Sequence, residues 1–144
     1  MRNTDSIIRR AEKQCASRGT RLTKKRKYVL TGLLESDKAL SAYELIAVCK
    51  EKYDEDIPAM SVYRILDFLQ SEHLVHKLNT ASKYASCANI VDDKAGCYSQ
   101  FLICRSCSKV KEVGLKPSMM AELQAAVQDA SFELVNPQLE MNCL

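Results

Sequence analysis

The strongest constraint on the fold is a helical pattern that runs directly into a short alternating segment. Pro58 opens the stretch P-A-M-S-V-Y-R-I-L-D-F-L, whose apolar residues recur on one helical face: Val62, Ile65, Leu66 and Leu69. The residues L-V-H-K-L that follow alternate as a strand does, and a polar turn separates them from K-Y-A-S-C. The sequence therefore predicts a helix followed by a two-stranded hairpin.

Three more helical patterns precede this helix. The first stops before Gly19, the second can be capped by Thr23, and the third begins with a capping box from Ser41 to Glu44. Their apolar stripes contain, in chain order, Ile8, Ala11 and Cys15; Val29, Leu30, Leu33 and Leu34; and Ala42, Leu45, Ile46, Cys49 and Tyr53. Three helices, a recognition-type helix and a hairpin together predict a winged helix-turn-helix domain.

The charge pattern favours DNA as the partner of this domain. Residues 1–86 carry sixteen Lys and Arg against eleven Asp and Glu, whereas residues 87–144 carry five against seven. A solvated helix face, or a winged helix that binds protein, would also fit this charge. The fourth helix presents polar side chains opposite its apolar stripe, and the run from Arg18 to Lys27 holds six cationic residues in ten. We therefore predict DNA contacts on the fourth helix, in this basic run and at the start of the third helix. The predicted set is Tyr43, Ser61, Tyr63, Arg64, Arg18, Arg21, Lys24 and Lys25.

The second half of the chain predicts a small domain of a different kind. Q-F-L-I-C and K-V-K-E-V resemble two strands joined by C-R-S-C, Pro117 starts a helix of about a dozen residues, and F-E-L-V and Q-L-E-M resemble one or two closing strands. Exposed sheet edges are commonly paired, so we expect a homodimer. The fold class is α+β: a winged-helix domain over 1–86, a hinge at about 84–90, and a dimerisation and metal-binding domain over 87–144.

Seven cysteines make the cellular compartment relevant to function. The N-terminus contains no apolar signal region and no apolar run approaches 18 residues, so we expect a cytoplasmic protein with no membrane partner. Disulfides are rare there, and close cysteine pairs more often bind metal or carry out redox chemistry.

Several of these motifs together resemble one family. R-G-T-R-L-T-K-K-R, S-A-Y-E-L, S-V-Y-R-I-L-D-F-L, L-V-H-K-L and I-C-R-S-C-S-K-V-K-E occur in the order and spacing of the ferric-uptake-regulator (Fur) superfamily and cover roughly residues 14–144. The resemblance implies a bacterial, homodimeric, metal-responsive repressor that binds double-stranded operator DNA and is not an enzyme.

The residues at the family's metal positions are similar to those of its zinc-sensing branch. This resemblance implies a regulatory Zn²⁺ held by His76, Cys87, Cys97 and Glu112, and repression of zinc-uptake genes by the zinc-loaded dimer. Zinc accepts sulfur, nitrogen and oxygen ligands in tetrahedral geometry. An iron, manganese or peroxide sensor of the family is the alternative, but the chain contains only two histidines.

The resemblance also implies a second, structural zinc site. Cys104 and Cys107 would supply half of it, and the family's second C-x-x-C would begin just after residue 144, so we expect the chain to be truncated there, with Cys143 as a candidate substitute ligand. Two other functions are alternatives: a zinc-binding interaction module without a DNA role, and a thiol oxidoreductase that uses C-R-S-C. The second is disfavoured because this motif lies between strands rather than at a helix N-terminus.

Overall fold

The computed structural model describes residues 4–79, 82–87, 99–134 and 138–144. The chain divides into two compact units, Met1–Asp93 and Lys94–Leu144. This division falls within residues 88–98, which lie outside the described ranges, so the predicted domain boundary at residue 86 stays a prediction. None of the described helices is long and apolar enough to cross a membrane.

Four helices and a hairpin form the described part of the first unit, as predicted. The helices are α1 (Thr4–Ser17), α2 (Lys24–Leu34), α3 (Ala42–Tyr53) and α4 (Ala59–Ser71). The hairpin strands, β1 (Val75–Leu78) and β2 (Lys83–Ser86), pair antiparallel. A backbone bridge between Leu40 and Tyr84 joins β2 to the segment before α3, with N···O distances of 2.9 and 2.8 Å. The hairpin is thereby fixed to the helices as the wing of a winged helix-turn-helix.

The helix ends follow the local signals in the sequence, with one exception. Gly19 has a φ of 78°, and the amides of Gly19 and Thr20 bond back to the carbonyls of Ala16 and Cys15, which is the Schellman arrangement. Ser41 and Glu44 form the predicted capping box, with both N···O distances at 3.1 Å. Thr23 occupies the N-cap position of α2, but its side chain makes no capping hydrogen bond.

The core of the first unit is built from one face of each helix and from the hairpin. The predicted apolar stripes of α2 and α4 are buried, and Cys15 and Cys49 are fully buried within the same core. Burial raises the pKa of both thiols, which keeps them protonated and unreactive. In α1 the buried position is Ile7, while the predicted Ile8 is only partly buried against the core.

The second unit contains a three-stranded sheet and one helix. Its strands are β3 (Ser99–Cys104), β4 (Val110–Gly114) and β5 (Gln138–Cys143), in the order β4-β3-β5, and α5 spans Pro117–Asp129. β3 pairs antiparallel with β4 and parallel with β5. Phe101 at the centre of the sheet is fully buried, and Leu115 and Met120 are buried in the same unit.

One predicted strand of this unit is wrong over its described part. Residues 132–134 of F-E-L-V are irregular. Within the described residues after α5, the closing strand consists of Q-L-E-M and its extension to Cys143. Phe132 is 73% exposed, so burial does not add to the β-propensity of this segment.

Candidate metal centre and nucleic-acid interface

The hairpin brings His76 and Cys87 together, although eleven residues separate them in the chain. His76 pairs with Ala85 in the ladder, and the amide of Cys87 donates to the carbonyl of Leu74 at 2.9 Å. Cys87 therefore lies two residues beyond the partner of His76, on the same face of the hairpin. Such diagonal neighbours are within reach of long side chains. One ring nitrogen of His76 and Sγ of Cys87 lie within 4.8 Å of one another.

This spacing and burial suit a metal ion with mixed ligands. With Zn–N near 2.05 Å and Zn–S near 2.3 Å, tetrahedral coordination sets the N···S distance at about 3.6 Å, a value inside the 4.8 Å limit within which these two atoms lie. Cys87 is 6% exposed, and Nε2 of His76 is shielded from solvent.

The two other predicted ligands of this site belong to the second half of the sequence. Glu112 lies on β4, opposite Phe101 in the ladder, and is half-buried. Cys97 lies outside the described residues.

A thiol knuckle joins β3 to β4. Cys104 ends β3, its amide bonds to the carbonyl of Lys109 at 2.9 Å, and its carbonyl accepts the amide of Ser108 at 2.9 Å. Hydrogen bonds from the backbone and the side chain of Cys107 hold the pKa of the Cys104 thiol below its ordinary value, which favours the thiolate that a metal binds. Cys143 stands beside Cys104 in the parallel register of β3 and β5.

The exposed face of α4 carries the predicted recognition side chains. Tyr63 is 39% exposed, Arg64 and Asp67 are exposed, and Ser61 is half-buried. Tyr43, the second residue of α3, is 68% exposed. An exposed guanidinium and phenol groups near helix starts are suited to phosphate oxygens and base edges.

The basic run from Arg18 to Lys27 divides into structural and exposed members. Nε of Arg18 lies 3.0 Å from Oε2 of Glu72, whose side chain is only 6% exposed. The guanidinium of Arg26 stacks 3.7 Å from the centre of the Phe68 ring, and Lys27 forms an ion pair with Glu12. Each of these three cations therefore contacts a side chain on, or just after, a different helix.

The remaining cations of the run are the stronger candidates for contacts with phosphate. Arg21, Lys24 and Lys25 are exposed, and Lys24 also lies 5.9 Å from the centre of the Tyr28 ring. These two groups could not be separated from the sequence, because Glu72 is 54 residues from Arg18 and looks like an ordinary polar residue at the end of a helix.

The fold and the sites define a class of protein: a winged helix with an exposed face on α4 and a neighbouring imidazole and thiol at its wing. The sequence model of the Ferric uptake regulator family matches residues 17–142. The chain belongs to the ferric uptake regulator family, which confirms the resemblance seen in its motifs.

Individual relatives give a more specific comparison than the family model does. The zinc uptake regulation protein of Escherichia coli (strain K12) is 38% identical over 109 residues, which are 76% of this chain and 62% of that protein. The chain thus spans less than two thirds of the length of this curated relative. A structure described as a zinc uptake regulator complexed with zinc and DNA matches with a TM-score of 0.87 at 30% identity, covering 100% of this chain and 93% of the other. A crystal structure of holo XcZur matches with a TM-score of 0.80 at 31% identity, covering 96% and 94%.

Proposed function

We propose that this protein is a zinc-responsive transcriptional repressor that binds operator DNA as a homodimer when it is loaded with zinc. The observation that supports the proposal most strongly is the distance between a ring nitrogen of His76 and Sγ of Cys87, which lie within 4.8 Å of one another on the wing hairpin. The same domain carries the helix α4 with its exposed polar face. The named relatives, a zinc uptake regulation protein and a regulator complexed with zinc and DNA, support the choice of zinc and of DNA.

In this proposal His76, Cys87, Cys97 and Glu112 hold the regulatory zinc. A thiolate and an imidazole within reach of one another are ligands that zinc prefers, whereas hard six-coordinate iron or manganese sites use mainly oxygen and imidazole ligands. The zinc would act as a cross-link that fixes the wing and the end of β2. Cys104 and Cys107 would hold a second, structural zinc, with Cys143 beside Cys104 as a candidate third thiolate.

The regulatory step is a shift of population between conformations. Zinc raises DNA affinity only if it binds the DNA-competent conformation more tightly than the others. The hairpin would supply two of the ligands, His76 and Cys87, so bound zinc would restrain the wing. The face of α4 around Tyr63 and Arg64 would read base edges, while Arg21, Lys24 and Lys25 would contact phosphates and add salt-dependent affinity.

Dimerisation is proposed through the second unit. Its exposed large hydrophobic side chains include Val113 on an edge strand, Met119 on α5, Phe132, and Met141 on the other edge strand. A second copy that covered such side chains would remove apolar surface from water and pair exposed strand edges. The proposed role is that of a regulator rather than an enzyme, acting in the bacterial cytoplasm on zinc-uptake genes.

Zinc content per chain, measured by elemental analysis, tests the two sites separately. We expect Cys87→Ser to lose one zinc ion and Cys104→Ser to lose a different one. Cys49→Ser is the matched control, because this thiol is fully buried in the core and is not among the proposed ligands. A wild-type protein that binds no zinc would refute the proposal. Loss of all zinc in either single variant would refute the separation into two sites.

A further inference from the structure

The large hydrophobic side chains that are exposed in the described part of the first unit are concentrated at two helix starts. They are Tyr43, 68% exposed, in the second position of α3; Met60, 65% exposed, in the second position of α4; and Tyr63, 39% exposed, one turn further along α4. Recognition helices contact base edges mainly through residues near their N-terminal ends. Met60 is the only one of the three without a polar group.

Met60 lies on the same helical face as the predicted base-reading residues. At 3.6 residues per turn, Met60, Tyr63 and Arg64 span an arc of about 100°, opposite the buried stripe. That stripe contains Val62, Ile65, Leu66 and Leu69. Met60 precedes Tyr63 by about 4.5 Å along the axis, so a helix that presents Tyr63 and Arg64 to the major groove also presents Met60.

The chemistry of the major groove limits what Met60 can recognise. Its base edges carry hydrogen-bond donors and acceptors and one apolar group, the 5-methyl group of thymine. A flexible thioether side chain makes no strong hydrogen bond but adapts its shape to an apolar partner. We propose that Met60 is a specificity-determining residue that contacts the 5-methyl group of thymine in the operator. This inference rests on the proposed function, since it requires α4 to enter the groove of DNA.

Replacement of thymine by uracil removes only the methyl group and therefore tests the contact directly. The operator would first be selected from random duplexes by the zinc-loaded full chain, and each thymine would then be replaced singly. We expect at least one position per half-site at which uracil weakens wild-type binding by about fourfold, the equivalent of about 0.8 kcal/mol for one methylene-sized group. Affinity would be measured by fluorescence anisotropy at a fixed salt concentration.

Substitution of Met60 then assigns the effect to this side chain. Met60→Ser should bind the thymine and uracil duplexes equally, whereas the apolar, volume-matched Met60→Leu should keep most of the preference for thymine. An absence of any uracil penalty in the wild type, or a penalty of unchanged size in Met60→Ser, would overturn the inference and leave the proposed function intact. If the zinc-loaded protein enriches no duplex at all, the proposed function itself fails and the inference fails with it.

Discussion

Arg18 has two possible roles: an ion pair with Glu72 that stabilises the fold, or a contact with DNA phosphate. The structure favours the ion pair, so removal of the Arg18 side chain should lower stability rather than DNA affinity. The carboxylate is almost fully buried, with 6% of its side chain exposed, while the arginine side chain is 46% exposed. Arg18 also donates from Nη2 to the carbonyl of Ser71 at 3.3 Å, and Gln14 donates to the carbonyl of Glu72 at 2.6 Å. Arg18 and Gln14 thus connect the end of α1 to the end of α4.

The magnitude follows from how deeply each partner is buried. Breaking a fully buried pair leaves an uncompensated charge and costs about 3–5 kcal/mol, whereas exposed pairs contribute about 0.2–1 kcal/mol. Arg18 is half exposed, and Oε2 of Glu72 accepts no hydrogen bond from the described part of the chain, so the attraction lacks a directional bond. We therefore expect Arg18→Ala to lower the free energy of unfolding by about 2 kcal/mol, an intermediate value.

Urea unfolding of Arg18→Ala, Glu72→Gln and the double variant measures this effect. With an m-value of about 2 kcal/mol/M, Arg18→Ala should lower the urea midpoint by about 1 M. Glu72→Gln is the matched control, because the neutral amide leaves no buried charge; it should cost less, and it should partly rescue Arg18→Ala in the double variant. Arg18 would instead contact phosphate if Arg18→Ala changed the free energy of unfolding by less than about 0.5 kcal/mol and showed no coupling to Glu72→Gln. The slope of log affinity for DNA against log salt concentration would then also fall by about one unit in Arg18→Ala.

Four further changes test local features of the fold. Ser41→Ala should cost about 1 kcal/mol in thermal or urea unfolding, since it removes the hydroxyl that caps α3, and Ser41→Thr should restore most of it. A hydrogen bond from the Ser41 amide lowers the pKa of the Glu44 carboxyl from its ordinary value of 4.5. The stability that this carboxylate contributes should therefore be present above pH 4.5 and lost as the pH falls through the lower pKa of the folded state. Glu44→Gln should flatten that part of the profile of stability against pH. Gly19→Ala should cost about 1 kcal/mol because a residue with Cβ is strained at a φ of 78°, although nothing lies within 4 Å of the new atom, and Gly19→Asn should cost less. Phe101→Ala should destabilise the second unit by about 3–5 kcal/mol, and Phe101→Leu by clearly less; equal unfolding midpoints would contradict its place in the core.

Local signals in the sequence predicted most of the secondary structure. Helix ends depend on signals that act within a few residues, so they can be predicted without knowledge of the fold. The examples here are the capping box at Ser41, Pro58 before α4 and Gly19 after α1. The alternation expected across the wing was less reliable: Leu74 and Val75 are both buried, since β1 begins only at Val75 and the hairpin packs against α2 and α4. Tertiary packing, rather than strand period, sets burial at that point.

Long-range pairings could not be obtained from the pattern. β3 and β5 pair in parallel, although β4 and α5 lie between them in the chain. The residues of the two strands do not indicate whether they pair in parallel or antiparallel. The diagonal approach of His76 to Cys87 depends on the register of the hairpin, which a shift of one residue would abolish. The motif resemblance named the two residues as ligands, and the register supplies a physical reason why they meet.

The most direct test of the account is operator affinity as a function of free zinc, buffered by a chelator, for the wild type and for Cys87→Ser, with Cys49→Ser as the control. We expect zinc to strengthen binding of the wild type and of Cys49→Ser by a factor of ten or more, about 1.4 kcal/mol of coupling, and to have little effect on Cys87→Ser. Operator affinity that does not change with free zinc, or that responds equally in Cys87→Ser, would contradict the claim that zinc at the wing controls DNA binding.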